Sequence, residues 1–176
     1  MRKWILRIAA GLGTLLLLLL AVGAALPREH TAASAITLRQ PPESVWIVVR
    51  DLGGVPRWWS DVAVSEQVTD SGGREVWRQE MDGFAMRLIV SQSAPPERLV
   101  TTIDAPPGSA FGGAWTYELA AADGGTRVTV TEAGWIANPV FRVMAHAGGL
   151  HRSVDRYLVA LGVRFGEAVT PDHVLR

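Results

Sequence analysis

The sequence contains no cysteine. Disulfide bonds, thiolate nucleophiles and cysteine-ligated zinc sites are therefore excluded. A net charge is also missing, because 17 basic residues balance 17 acidic ones. The charges are unevenly distributed, because no acid precedes Glu29 whereas three basic residues, Arg2, Lys3 and Arg7, precede the first apolar run. Without those three, the chain has 14 basic and 17 acidic residues. This slightly acidic domain is not expected to bind nucleic acid, which requires a basic surface.

Several short catalytic motifs are absent as well. The chain has no G-x-S-x-G, no H-E-x-x-H and no Walker loop, and no lysine follows the glycines between Gly108 and Gly113. His146 and His151 are five positions apart, about 140° around a helix axis, so they cannot chelate one metal as an i, i+4 pair would. We expect solvated or hydrogen-bonded roles for these two and for His30 and His173. The sequence thus predicts no cofactor and no metal site.

The longest apolar run lies at the N-terminus. Ile8–Leu26 is uncharged, and Thr14 is its only clearly polar residue. As a helix it would be about 28 Å long, close to the roughly 30 Å of a bilayer's hydrocarbon core. The basic residues before it favour an N-terminus in the cytoplasm. These features predict a single-pass anchor in the cytoplasmic membrane, with the domain on its outer, periplasmic or extracellular, side.

A cleaved signal peptide is the alternative for this segment. Small residues suited to cleavage occur at Gly23 and Ala25, and again at Ala33 and Ala35. A cut after Ala35 would remove most of the first predicted strand, which argues against that site. The apolar core of a signal peptide is normally about 7–15 residues long, so the length favours an uncleaved anchor.

The remaining chain divides into four parts by its pattern. Residues 30–39 read as a strand, and Pro41-Pro42 then opens a helix, since proline is accepted in a first turn. A short second helix or turn carries Trp58 and Trp59. From Val62 to Val130 apolar residues alternate with polar ones between glycine-rich turns, which predicts six hairpin-connected strands.

The fourth part is a long amphipathic helix. Asn138-Pro139 is a strong helix start, and apolar residues recur at spacings of three or four up to about Arg164. Gly148-Gly149 interrupts the pattern and predicts a kink. Only this helix is long enough to cover one face of the antiparallel sheet. We therefore predict an α+β helix-grip fold, a curved antiparallel sheet of about seven strands around the C-terminal helix.

Four sequence segments carry a resemblance to known proteins. They are Pro-Glu-Ser-Val-Trp at 42–46, Phe-Gly-Gly-Ala-Trp-Thr-Tyr-Glu at 111–118, Gly-Thr-Arg-Val-Thr-Val-Thr-Glu at 125–132 and Asn-Pro-Val-Phe-Arg at 138–142. Across roughly residues 29–167 the chain resembles the SRPBCC superfamily, which includes START lipid-transfer domains, plant allergen-type ligand carriers and polyketide cyclase/dehydrase-like proteins. The predicted division is an anchor or signal peptide at 1–28, an SRPBCC/START-like domain at 29–168 and a tail at 169–176.

Large apolar side chains mark the predicted ligand site. The resemblance implies a hollow between sheet and helix, and aromatic residues with few polar groups suit an apolar ligand. A filled core is the alternative for any one of these residues. The predicted lining consists of Trp59, Trp77, Phe84, Met86, Leu88, Trp115, Tyr117, Val130 and Met144.

Glu132 is a candidate for catalysis. It continues the inward register of Val128 and Val130, and a carboxylate on an apolar face needs a partner or a raised pKa. One interpretation is a general acid/base or a polar anchor for the ligand. The other is a rim position that bonds to the closing helix or to an arginine.

Three functions fit these observations. The first is a membrane-tethered binding protein, without enzymatic activity, for a hydrophobic or lipid-like small molecule. The second is a cyclase, dehydratase or related acid/base enzyme that uses Glu132. The third is a non-catalytic interaction domain held at the membrane. The expected partners are the apolar molecule and, through the N-terminal helix, the membrane.

Overall fold

A computed structural model of the chain describes residues 2–70, 72–81 and 83–174. The strands are β1 Glu29–Leu38, β2 Val62–Val68, β3 Val76–Met81, β4 Phe84–Ala94, β5 Arg98–Ile103, β6 Phe111–Ala122, β7 Gly125–Ile136 and β8 Asp172–His173. They form one antiparallel sheet with the order β2-β3-β4-β5-β6-β7-β1-β8. The register shifts between Val62 and Val64 and between Val90 and Gln92, and such bulges bend a sheet.

The helices follow the predicted order. They are α1 Arg2–Ala25, α2 Pro42–Arg50, a 3-10 helix Leu52–Arg57, α3 Pro139–Gly148 and α4 Arg152–Arg164. Pro42 lies in the first turn of α2, and Val45, Trp46 and Val49 form the buried side of that helix. The predicted α+β helix-grip fold, a curved antiparallel sheet closed by C-terminal helical structure, is confirmed.

The N-terminal apolar run forms a helix. Lys3–Ala25 is long and apolar enough to cross a membrane, and a signal sequence near an N-terminus has the same features. The C-terminal end of α1 contacts α3. Gly23 is buried at this contact, where an added Cβ would lie 2.1 Å from the Pro139 carbonyl oxygen. Only a glycine allows the two backbones to approach so closely.

The closing helix is divided into two pieces. Asn138 caps α3 as predicted, because its side-chain oxygen accepts from the backbone N–H groups of Val140 and Phe141. The chain then breaks completely at Gly149, where φ is +85°, and α4 starts at Arg152. A left-handed residue cannot continue a right-handed helix, so the predicted kink is a full break.

An eighth strand was not predicted. Asp172–His173 pairs with β1 at Ala35 and Ser34, inside the segment interpreted as a tail. Two residues are too few to produce a recognisable alternating pattern. Met1 of the predicted anchor and the last two residues of the predicted tail lie outside the described residues.

Most of the core lies under α4 and α2. Leu158 and Leu161 of α4 are fully buried against Leu38, Leu99 and Val128 of the sheet. By contrast, Arg142 is the one residue of α3 whose side chain is buried. The sheet is therefore filled at one end and loosely covered at the other.

Candidate functional site

A cavity of about 520 Å³ lies where α3 covers the sheet. This volume is within the range of small-molecule sites, about 300–1,000 Å³. Its walls come from β6, β7, α3 and the first turn of α4, together with residues of β1, β3 and β5. The principal lining residues are His30, Trp59, Met81, Ile103, Phe111, Gly112, Gly113, Trp115, Glu132, Gly134, Trp135, Phe141, Met144, Leu150 and Ser153.

Glycines in β6 and β7 border this cavity and let the two strands approach closely. Gly113 and Gly134 face each other in the register, and Gly112 faces Trp135. A Cβ on Gly113 would lie 2.5 Å from the Ala133 carbonyl oxygen, and its φ of +150° disfavours other residues. In the sequence, Phe111-Gly112-Gly113 belongs to a segment that resembles the family, but the letters alone do not indicate a cavity wall.

A cluster of aromatic rings closes the deep end of the cavity. Tyr157 of α4 lies at its centre, with ring centroids 5.1 Å from Trp59, 5.4 Å from Tyr117 and 5.9 Å from Trp115. These distances are typical of favourable aromatic pairs. Sequence reasoning missed Tyr157, because its position on the helix reads as ordinary core.

A smaller space of about 130 Å³ extends from the cavity toward β3 and β4. It shares Trp59, Trp115 and Glu132 with the larger space. Burial raises the pKa of Tyr117 well above its ordinary value, even though a hydrogen bond with Thr101 acts in the opposite direction. Burial likewise raises the pKa of Tyr157. Both phenols therefore stay neutral, and this end of the interior carries no charge from them.

Glu132 is the acidic group shared by both spaces. Ser153 of α4 donates a hydrogen bond to Glu132 Oε2 at 2.6 Å, and His30 Nε2 lies 3.4 Å from Oε1. The Glu132 side chain keeps 23% of its surface exposed, against 10% for His30. Trp115 is its register partner on β6. The carboxylate is thus held by two neighbours beside Trp115 on the cavity wall.

Six of the nine residues predicted to line the ligand site border these two spaces. Trp59 and Trp115 border both spaces, and Met144 borders only the larger one. The remaining three border only the smaller space. Met144 is also 64% exposed, which puts it at the mouth. The residues contributed by the smaller space alone are Met86, Leu88 and Tyr117.

The other three predicted residues lie elsewhere. Trp77 packs beside Gly53 of the 3-10 helix and donates its indole N–H to Glu75. Phe84 is 52% exposed and makes an edge-to-face contact with Phe141, with centroids 6.3 Å apart. Val130 is fully buried in the core. Alternation along a strand predicts which side chains point to the concave face of the sheet. It does not predict which of them pack in the core and which border a cavity.

A second polar cluster lies outside the cavity. His151, Asp155 and His173 each offer one ligand atom, and these atoms lie within 4.8 Å of one another. The sequence argument against a shared metal site concerns only His146 and His151. Asp155 lies one turn after His151, and no local pattern in the sequence shows that β8 returns His173 to the same place.

Comparison with known proteins identifies relatives of the fold. A family model described as polyketide cyclase / dehydrase and lipid transport matches residues 29–165. No curated protein matches the sequence. The di-domain ARO/CYC BexL from the BE-7585A biosynthetic pathway is 14% identical with a TM-score of 0.61, over 94% of this chain and 60% of its own. The chain therefore spans less than two thirds of that protein.

Two further solved structures are similar over most of their own length. A START superfamily protein from Mycobacterium smegmatis is 16% identical, with a TM-score of 0.58 over 77% of this chain and 96% of its own. The protein Ara h 8.0201 is 18% identical, with a TM-score of 0.57 over 79% of this chain and 99% of its own. At these identities the likeness concerns the fold.

Proposed function

Because the chain belongs to the polyketide cyclase / dehydrase and lipid transport family, we propose that it binds a hydrophobic or lipid-like small molecule between α3 and the sheet. One observation carries the proposal: a cavity of about 520 Å³ walled by Trp59, Trp115 and Phe111. An apolar ligand there would gain about 25 cal/mol for each Å² of surface removed from water. Glu132 would orient a polar end of the ligand.

We further propose that α1 is an uncleaved membrane anchor. Gly23 near its C-terminal end packs on Pro139, and Arg142 of α3 donates to the Leu26 carbonyl oxygen at 2.8 Å. Phe141 and Met144 of the same helix border the cavity. If α1 spans a bilayer, its packing holds α3 and the cavity mouth close to the membrane surface. A ligand could then pass between the bilayer and the cavity without crossing much water.

Binding of a fluorescent long-chain fatty acid tests the proposal. The full chain, purified in detergent, should bind about one molecule of the probe. Trp115→Leu should weaken this binding about tenfold, since losing roughly 60 Å² of apolar contact costs about 1.4 kcal/mol. Trp46→Leu is the matched control, because Trp46 is a buried indole of the core away from both spaces. Equal affinities of the two variants, or no binding by the wild type, would overturn the proposal in favour of a non-catalytic interaction domain.

The anchor has its own test. N-terminal sequencing of the membrane fraction should find the segment before Leu26 attached. A mature N-terminus at about residue 26 would mean that the segment is a signal peptide. A topology reporter fused after the last residue should read out on the outer side of the membrane. A cytoplasmic signal would refute that orientation.

A second candidate function is acid/base catalysis by Glu132. The observation in its favour is the pair of contacts from His30 and Ser153, which hold the carboxylate beside the cavity. A general acid or base needs to reach its substrate within hydrogen-bond distance. Native mass spectrometry should first identify a co-purified small molecule. Catalysis predicts that the wild type converts this molecule, whereas Glu132→Gln binds it without turnover.

A further inference from the structure

We propose that His151, Asp155 and His173 form a binding site for one divalent transition-metal ion, with Zn²⁺ as the best fit. The three ligand atoms lie within 4.8 Å of one another, and the side chains come from α4 and β8. Two imidazoles and one carboxylate suit Zn²⁺, which prefers four tetrahedral ligands and often keeps one position for water. This site is separate from the ligand cavity and does not depend on the proposed function.

Secondary structure brings the three ligands together. His151 directly precedes α4 and Asp155 follows in its first turn, so an i, i+4 spacing puts them on one side of the helix. His173 sits opposite Ser34 in the pairing of β8 with β1. The hydrogen bond from the Val174 N–H to the Ala33 carbonyl oxygen, at 2.8 Å, holds this short strand in place.

The carboxylate already has the support that a metal ligand requires. Ser34 is fully buried and donates its hydroxyl to Asp155 Oδ1 at 2.6 Å. The other oxygen, Oδ2, lies 3.0 Å from His173 Nε2. The Ser34 hydrogen bond is of the kind that orients a metal ligand and raises metal affinity, whereas the His173 contact joins two of the proposed ligands and would give way when the ion binds. Ser34 is therefore a positioning residue: it is buried and acts on the ion only by orienting the Asp155 carboxylate.

The two imidazoles need one adjustment to bind the same ion. Their rings are stacked, with centroids 3.8 Å apart and planes 13° from parallel. The nitrogen lone pairs of stacked rings lie in nearly parallel planes and do not converge on one point, so one ring must turn before both nitrogens meet an ion at about 2.1 Å. His173 can make this turn, since its side chain is 55% exposed and sits on a strand of two residues.

Cobalt titration of the full chain provides the test. The protein is prepared without a histidine tag, purified in detergent and treated with a chelator. We expect one Co²⁺ per chain, with a visible absorption band that Zn²⁺ displaces. His173→Ala and Asp155→Asn should each weaken binding at least a hundredfold, and Ser34→Ala about 10–100-fold. Zn²⁺ should also raise the unfolding midpoint of the wild type, because an ion bound only by the folded state stabilises it.

His146→Ala is the matched control. His146 lies on α3, where its Nδ1 bonds to the Arg142 carbonyl oxygen, and it should not affect the titration. His173→Ala keeps the test valid if Asp155→Asn fails to fold, because His173 is a partly exposed residue near the end of the chain. An unchanged Co²⁺ affinity in His173→Ala, or no uptake by the wild type, would overturn the proposal.

Discussion

The interior of this domain has two unlike halves. In the closed half, α4 and α2 cover the sheet, and side chains such as Leu38, Leu99 and Leu158 are fully buried. In the open half, α3 covers the sheet and leaves a space of about 520 Å³. The same sheet forms the floor of both. The helices that cover the sheet therefore decide whether its concave face becomes core or cavity.

The break at Gly149 separates the two halves. After the break, α4 buries Val154, Tyr157 and Leu158 on one face. Before it, α3 presents Met144 at the mouth with most of its surface exposed. A single continuous helix would have to keep one direction across the sheet. Division into two helices lets α4 pack tightly while α3 stays raised above Trp115 and Glu132.

The largest expected effect contrasts apolar residues of these two helices. Leu158→Ala should lower the free energy of unfolding by about 3 kcal/mol, because it leaves a cavity in a packed core. Met144→Ala should change it by about 0.5 kcal/mol or less, since the side chain is mostly exposed. Chemical denaturation of both variants measures the difference. Equal losses would mean that α3 is packed as tightly as α4.

The next effect tests the break itself. Gly149→Ala should cost about 1–2 kcal/mol, because a residue with a Cβ is strained at a φ of +85°. No atom lies within 4 Å of an added Cβ there, so the cost is conformational and not a clash. Gly148→Ala is the control: its Cβ would meet only Arg152 Nη1, at 3.8 Å. If both variants lose the same stability, the left-handed residue is not what maintains the break.

Local patterns made most of the fold predictable. Six hairpin strands follow from the alternation between Val62 and Val130, and Asn138-Pro139 marks the start of α3 correctly. Both signals depend on neighbours in the chain. Strand β8 has only Asp172 and His173, and its pairing with β1 depends on a chain return that no local pattern encodes.

The candidate site was less predictable, for a geometric reason. Strand parity identified Trp115 and Tyr117 as inward residues, and both border the cavity spaces. The same parity applies to Val130, which is fully buried in the core. Whether an inward residue borders the cavity or the core depends on which helix covers it. The sequence does not specify where α3 is separated from the sheet. The partners of Glu132 depend on the same packing.

Loss of the helix cap should loosen only the open half. Asn138→Ala removes the side-chain acceptor for the N–H groups of Val140 and Phe141, which costs about 1 kcal/mol. Amide exchange in α3 should accelerate about fivefold, as a loss of about 1 kcal/mol implies. Exchange in α4 should stay unchanged, because local opening of α3 does not require the core under α4 to open. Asn138→Asp is the control, since aspartate caps equally well. Acceleration in α4 as well would contradict the separation of the halves.

The smallest effect concerns a polar contact of the closed half. Arg50 of α2 bonds to both carboxylate oxygens of Glu75, and the Trp77 indole N–H donates to Oε1 at 2.8 Å. Burial alone would raise the pKa of Glu75, but the hydrogen bonds from Arg50 and Trp77 outweigh it and lower the pKa below its ordinary 4.5. The ionised form is therefore favoured in the folded state. The resulting stabilisation is complete at pH values above the pKa of Glu75 in the unfolded chain. It disappears as the pH falls through the pKa of Glu75 in the folded protein.

Glu75→Gln should accordingly cost about 0.5 kcal/mol at neutral pH, a value reduced by solvent screening of a partly exposed pair. At acidic pH, once Glu75 is protonated in the folded state, the difference from wild type should vanish, because a protonated glutamate resembles glutamine. Denaturation midpoints at both pH values measure it. Glu66→Gln removes one of the two carboxylate partners of Arg78, at a more exposed position, and should change stability less. A Glu75→Gln cost that persists at low pH would show that shape, and not charge, joins α2 to the sheet.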